Sequence, residues 1–163
     1  MNKSDKRSNA KQDKPDKSSG NNKDTTSTLC KSGTYMFKDG SLYEGEYKEI
    51  DGGCIVRSGT GKYTCGTSKS IYTGQWDHDK MDGKGKLEFA SGAYYDGSWK
   101  DNQYMGEGTY RWSDGTMFSG AWLENGMNGP GKYTDMDGQG WIGSIFKGKM
   151  ATLAPDLHPS PSC

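Results

Sequence analysis

Large and small side chains alternate with a period of two along much of the chain after residue 33. Tyr95, Gly97 and Trp99 form one such series. Tyr110 and Trp112 belong to another. A period of two places these residues on one face of a β-strand. No segment has the i, i+3, i+4 apolar spacing of an amphipathic helix, so the pattern predicts an all-β protein.

The alternating segments also repeat. An aromatic–x–Gly–x–aromatic sequence occurs four times, and a fifth copy closes with Ile145 instead of an aromatic residue. The central glycines of the five copies are Gly45, Gly74, Gly97, Gly120 and Gly143. A Gly-x-Gly sequence precedes four of the copies, at Gly59/Gly61, Gly83/Gly85, Gly106/Gly108 and Gly129/Gly131. Most steps are 23 residues long, and such a fixed period is typical of stacked repeat proteins.

Turn-forming residues join the two strand segments within each copy. Asp39-Gly40, Asp114-Gly115 and Asp137-Gly138 stand between alternating segments, and Asp-Gly is a strong hairpin signal. A single hairpin cannot bury its own apolar face. The repeats therefore predict an elongated single-layer array of antiparallel β-hairpins, in which each hairpin packs against its neighbours.

The repeated glycines have two predicted roles. The central glycine of each aromatic–x–Gly–x–aromatic sequence leaves a gap on the apolar face, and we expect a ring of the next copy to cover it. The Gly-x-Gly sequences resemble phosphate-binding loops only superficially, because such loops need a strand-to-helix context. We expect them to form tight turns between hairpins.

Composition divides the chain into three parts. Residues 1–29 contain no aromatic side chain and carry seven basic and four acidic residues, so they predict a disordered tail. Residues 30–146 hold the five repeats. Residues 147–163 contain three prolines and form a capping segment and tail. We expect part of 146–158 to fold back over the open end of the array, with Leu153 and Leu157 covering it.

The repeat unit, Tyr-x-Gly-x-Trp followed by Gly-x-Gly and an Asp-Gly turn, resembles the MORN repeat over roughly residues 33–146. The small size and polar leader further resemble one of the small members of that family. The resemblance implies a hairpin array with a groove along one face and no catalytic activity. Members of the family act as scaffolds and membrane-associated organisers, often in cilia, flagella and developing sperm, and some bind phospholipids. The resemblance thus suggests roles in spermatogenesis, cilia or vesicle-associated complexes.

Aromatic residues must supply the core. Leu, Ile, Val and Phe number only 16 of 163 residues, whereas Tyr and Trp number 15. A single-layer array has two faces, so the rings either fill the core or line a groove for an extended or helical peptide of a partner. The candidate partner-binding residues are Tyr72, Trp76, Tyr95, Trp99, Phe118 and Trp122.

Charge favours a protein partner over the alternatives. The chain is formally neutral, and the part after residue 29 carries a net charge of −3, which disfavours nucleic acid. Binding of anionic phospholipid as a peripheral membrane module is the alternative function. It requires clustered basic residues, whereas the lysines of the array are spread among acids. We therefore prefer a protein-binding scaffold, with weak membrane association at most.

Residues for catalysis or cofactor binding are scarce. The two histidines, His78 and His158, have no recognisable nucleophile–acid arrangement around them. Four irregularly spaced cysteines show no zinc spacing, so we expect no metal, no cofactor and reduced thiols. The first residues lack a secretory signal, which favours a cytoplasmic protein. Two copies can also form a homodimer through the open ends of the array.

Overall fold

The computed structural model describes residues 30–50, 52–146 and 148–157. The predicted disordered tail, residues 1–29, lies outside this range. The described residues form eleven strands: β1 (Lys31–Met36), β2 (Leu42–Ile50), β3 (Cys54–Thr64), β4 (Ile71–Asp77), β5 (Lys80–Glu88), β6 (Tyr94–Lys100), β7 (Gln103–Arg111), β8 (Met117–Leu123), β9 (Gly126–Thr134), β10 (Gly140–Phe146) and β11 (Lys149–Pro155). They build one open antiparallel sheet in chain order, without a helix among the described residues, which confirms the all-β prediction.

Glycine turns close four of the hairpins, as the sequence predicts. The turn glycines have positive φ angles of 79–95° and are Gly40, Gly92, Gly115 and Gly138. The preceding side chain stabilises the turn: the Asp39 carboxylate accepts a hydrogen bond from the Ser41 amide, and Asp114 accepts one from Thr116. These bonds lower the pKa of both carboxyls. In these Asp-Gly turns the glycine adopts the positive φ angle, and the aspartate carboxylate accepts a hydrogen bond from the backbone.

Two-residue turns join the other regular strands. Both turn residues have φ values of 46–67°, as in a type I′ turn, although neither is glycine. The pairs are His78-Asp79, Asp101-Asn102 and Glu124-Asn125. Non-glycine residues are uncommon in this region of φ, and Asn and Asp tolerate it best. Each of these turns thus places an Asp or Asn at its second position.

A row of glycines crosses ten of the eleven strands. Each glycine faces the next one in the strand register: Gly33, Gly45, Gly61, Gly74, Gly85, Gly97, Gly108, Gly120, Gly131 and Gly143. Neighbouring backbones approach so closely that a Cβ built on Gly97 would lie 2.5 Å from the Gly108 Cα atom. The row requires glycine because no other residue leaves this space.

The ring that covers the glycine row comes from the same copy, not from the next one as the sequence suggests. Tyr95 lies along its own strand over Gly97 and Gly108, and its hydroxyl donates a hydrogen bond to the Ser98 carbonyl oxygen (3.0 Å). The Trp99 indole donates to the Gly85 carbonyl oxygen of the preceding strand (2.8 Å). Tyrosine thus covers the row, and tryptophan ties adjacent strands together.

The Gly-x-Gly sequences lie inside strands and not at the turns that the sequence predicts. Gly74 faces Gly85 but Trp76 faces Met81, so β5 accommodates two additional residues opposite Gln75. Gly83 adopts a φ of 102° in this bulge, and the Gln75 side chain accepts a hydrogen bond from the Lys84 amide (2.6 Å). The first glycine therefore permits the bulge, and the second continues the glycine row.

Residues 149–155 fold back as β11, but neither Leu153 of this strand nor Leu157 beyond it covers the end of the sheet. Leu153 is 47% exposed and Leu157 is 86% exposed. The prediction that they form a cover was wrong because β11 pairs edge to edge with β10. Side chains of such a strand project from the two faces of the sheet and not beyond its edge.

Candidate functional site

The six predicted partner-binding aromatics form the core of the sheet. Each is only 0–6% exposed: Tyr72, Trp76, Tyr95, Trp99, Phe118 and Trp122. Tyr43 and Ile145 extend the same cluster in the two flanking repeats. Buried rings offer no open face to a partner, so a candidate binding surface has to be sought elsewhere in the sheet.

Rings of successive copies shelter one another. Tyr72 makes edge-to-face contacts with Trp76 of its own copy (centroids 5.0 Å apart) and Trp99 of the next copy (5.2 Å). Tyr95 repeats the arrangement with Trp99 (5.2 Å) and Trp122 (5.3 Å). Edge-to-face geometry is favourable for aromatic pairs. The core is therefore shared between hairpins and does not belong to any single one.

One further side chain packs against the core cluster in each regular copy. The residue facing the closing tryptophan in the strand register is Met81, Tyr104 or Met127. In the third copy the Tyr104 ring stacks on Tyr95, with centroids 3.8 Å apart and an interplanar angle of 17°. The first hairpin differs, because Arg57 occupies the equivalent register position, opposite Tyr47.

The side chain of Arg57 extends towards Trp76 of the second copy. Its guanidinium carbon lies 4.2 Å from the Trp76 ring centroid and 5.8 Å from that of Tyr43. Nε donates to the Asp79 carboxylate (2.9 Å), and Nη2 donates to the Asp79 carbonyl oxygen (3.0 Å). A cation over aromatic faces is attracted by their quadrupoles. Arg57 thus takes the position over Tyr43 and Trp76 that Tyr104 takes over Tyr95 and Trp122, and a space remains beside it.

That space is a cavity of about 290 Å³, which we call the N-terminal aromatic pocket. Its lining residues are Tyr35, Phe37, Tyr43, Tyr47, Ile55, Val56, Arg57 and Asp79. Phe37 is 44% exposed and Ile55 42% exposed, so the rim is apolar and accessible. An accessible concave surface lined by aromatic residues, with a few polar groups, is typical of a recognition site.

Two tyrosines of the pocket, Tyr35 and Tyr43, remain protonated over a wide pH range. A hydrogen bond with Tyr47 raises the pKa of Tyr35 to about 12. Burial raises the pKa of Tyr43 to about 12, although the nearby Arg57 opposes the shift. The phenols therefore act as neutral hydrogen-bonding and stacking groups. Nothing in this geometry favours a phenolate base.

Two features of this region are not apparent from the repeat pattern. Arg57 follows a stretch between Tyr47 and Gly59 that is five residues longer than in the regular copies, and it stands where those copies have Met or Tyr, two residues before the first glycine of Gly-x-Gly. The second residues of the type I′ turns act as clamps: Asn102 accepts from the Met81 amide (2.9 Å), and Asn125 accepts from the Tyr104 amide (2.9 Å). Asp79 binds Arg57 in the same way (2.9 Å). An Asp or Asn three residues after the closing tryptophan of each regular copy is the sequence signal for these clamps.

The face of the sheet opposite the core is polar, and five lysines of the array form ion pairs with acids. Five lysine–carboxylate pairs have N–O distances of 2.7–2.8 Å: Lys31–Glu49, Lys80–Asp101, Lys86–Glu88, Lys100–Asp82 and Lys132–Asp156. Paired and dispersed lysines produce little net positive potential. This face therefore lacks the clustered basic character that anionic lipid binding requires.

Reactive groups in the described residues are few and exposed. The His78 Nδ1 atom lies 2.7 Å from the Asp77 carboxylate in a turn. Hydrogen bonds from Ser68 and Thr67 lower the pKa of the Cys65 thiol to about 6. Cys30, Cys54 and Cys65 are free thiols, whereas Cys163 and His158 lie outside the described range. The described residues contain neither a group of three potential metal ligands nor a helix that could cross a membrane.

Part of the chain is similar to known proteins. The chain is 38% identical over 68 residues to MORN repeat-containing protein 3 of Xenopus laevis. That match covers 38% of this chain and 26% of the relative, so the chain spans about a quarter of the curated relative that it matches. The finer likeness to one small family member is not supported by this match. A family model for the MORN repeat matches residues 72–94, 95–117 and 118–140, each segment beginning at the opening aromatic of a copy. Residues 72–140 therefore match three consecutive MORN repeats.

Proposed function

We propose that the protein is a non-enzymatic scaffold that binds a partner protein through the N-terminal aromatic pocket. The observation that carries this proposal is the accessible, unfilled space beside Tyr43, Tyr47 and Arg57 in the first hairpin. The six aromatics that the sequence predicts to bind a partner are buried. The pocket is thus the part of the aromatic face that an extended or helical peptide can enter.

The pocket can accommodate an apolar side chain of a partner protein. Phe37 and Ile55 supply an accessible apolar rim, and Tyr43 supplies a buried floor. Arg57 and Asp79 satisfy each other, so an apolar side chain can enter without leaving an unpaired charge. Binding hot spots commonly consist of such aromatic and arginine residues.

The alternative function is a peripheral membrane module for anionic phospholipids. The lysines of the polar face form ion pairs, which weakens this alternative. Cosedimentation of the full chain with phosphatidylserine-containing vesicles tests it. Salt-sensitive binding to these vesicles, with no capture of a protein partner, would favour the lipid function and contradict the scaffold.

From the family resemblance, we extend the proposal to cytoplasmic complexes of cilia, vesicles or developing sperm. A scaffold in such a complex requires at least one stable protein partner. Affinity capture from testis or ciliated-cell lysate, followed by mass spectrometry, identifies that partner. Absence of a reproducible partner from these sources would contradict this extension.

Paired surface variants locate the binding surface. Phe37→Ser with Ile55→Ser makes the pocket rim polar, and we expect loss of the captured partner with an unchanged circular dichroism spectrum. Met136→Ser with Leu157→Ser is the matched control, because these side chains are also exposed but lie at the other end of the array. Capture that survives the first pair, or is lost only with the second, would exclude the pocket.

A further inference from the structure

The outer edge of β1 carries unpaired backbone groups. Among the described residues, β1 pairs with β2 alone. The Phe37 amide donates inward to the Ser41 carbonyl oxygen across the first turn. Because backbone direction alternates along a strand, the amides of Ser32 and Thr34 point out of the sheet. This edge therefore offers donors and acceptors to another strand.

The glycine row is open at this edge and closed at the opposite one. Gly61 lies between Gly45 and Gly74, and the glycines of β5, β7 and β9 are likewise flanked on both sides. Gly33 faces only Gly45. At the far end, β11 places Leu153 opposite Gly143, and Pro155 lacks an amide donor. The two edges are thus chemically unlike.

We propose that two copies of this chain pair through β1 in an antiparallel, twofold-symmetric arrangement centred on Gly33. The Gly33 residues of the two copies face each other and continue the glycine row from one sheet into the next. Ser32 of one copy then faces Thr34 of the second copy, and their outward backbone groups exchange hydrogen bonds. The interface repeats a contact that already joins the strands within each chain.

A second copy fits this edge better than an unrelated strand. Gly33 at the centre of β1 places no side chain between the two strands, and in the symmetric pair both strands supply it. Lys31 is the one charged residue of β1, and in the symmetric register it faces Tyr35 of the second copy. Like charges therefore do not meet, and the lysine lies next to an aromatic ring. A twofold contact also closes on itself and does not propagate into fibres.

The molar mass of the full chain in solution tests the proposal. We expect light scattering after size-exclusion chromatography to give twice the 17.9 kDa mass of one chain. Thr34→Pro removes an amide that points out of the sheet and none that bonds to β2, so this variant should be monomeric. Leu153→Pro alters the other edge as the matched control and should leave the dimer intact. A monomeric wild-type chain, or a dimer that survives Thr34→Pro, would overturn the proposal.

A crosslink reports the register directly and does not depend on how well the proline variant folds. A Cβ on Gly33 would meet only the Tyr35 and Tyr47 side chains, at 3.2 Å. Facing residues of a pair without backbone hydrogen bonds lie about 4.5 Å apart at Cα, which suits a disulfide. Under oxidation, Gly33→Cys should give a dimer whose linked peptides both contain residue 33. Linkage elsewhere, or a monomer, would contradict the symmetric register.

Discussion

At the residue scale, the smallest side chains determine where the largest can pack. The hydroxyl end of Tyr95 occupies space over Gly97 and Gly108 that any Cβ would enter. The hydroxyl also needs its hydrogen bond to Ser98, since an unpaired buried group is costly. Glycine and tyrosine are therefore complementary at these positions, and neither can change without affecting the other.

Gly108→Ala should destabilise the protein. The added methyl group would collide with the Tyr95 ring, and overpacking of this kind costs about 1–3 kcal/mol. Urea unfolding followed by tryptophan fluorescence measures the loss. Gly126→Ala is the control, because its Cβ would meet only the Leu123 carbonyl oxygen, at 3.3 Å. Equal losses at the two positions would contradict the account of the glycine row.

The turn clamps make a second residue-scale prediction. Asn125→Ala removes the side-chain bond to the Tyr104 amide and places alanine at a φ of 67°, so stability should fall by about 1–3 kcal/mol. Glu124→Gly is the control, because glycine relieves the φ of 48° at the first turn position. Thermal melts should rank Glu124→Gly at or above the wild type. A stable Asn125→Ala variant would show that the clamp is unimportant.

At the scale of strands and turns, the sequence pattern predicts the fold well and its irregularities poorly. Period-two alternation and Asp-Gly turns indicate hairpins because both are local signals. The Gly-x-Gly bulges were not foreseen, since a bulge depends on the register between two strands. The pocket was missed for a similar reason: that Arg57 lines it becomes clear only when the register places Arg57 opposite Tyr47.

Arg57→Tyr should fill the N-terminal aromatic pocket. The new ring would stack on Tyr43 as Tyr104 stacks on Tyr95, a contact worth about 0.5–1.5 kcal/mol, while the exposed ion pair with Asp79 is lost at similar cost. We therefore expect the free energy of unfolding to change by less than about 1 kcal/mol and partner capture to be lost. Continued capture by a folded Arg57→Tyr chain would contradict binding in the pocket.

At the scale of the whole molecule, stability depends on burying phenols from neighbouring hairpins in one shared core. Burial raises the pKa of Tyr43 and Tyr104 to about 12, and raises that of Tyr72 and Tyr95 further. In the unfolded chain a tyrosine ionises near pH 10. The unfolded state therefore loses protons first as the pH rises, and the linked stability declines.

Melting temperature should accordingly be constant to about pH 9 and fall steeply as the pH rises through 10–12. Differential scanning calorimetry across this range measures the trend. Tyr72→Phe removes one titrating group and its hydrogen bond to Gln75, so its melting temperature should start lower and fall less steeply. A melting temperature that stays constant to pH 12 would show that the phenols are not buried in solution.

Contacts between rings of different hairpins test the central claim most directly. Nuclear Overhauser effects measured on the full chain should connect Tyr72 with Trp99 and Tyr95 with Trp122, whose ring centroids lie 5.2 and 5.3 Å apart. The account predicts these cross-copy contacts alongside those within each copy, such as Tyr95 with Trp99. Contacts confined to single copies would show that the hairpins do not share a core.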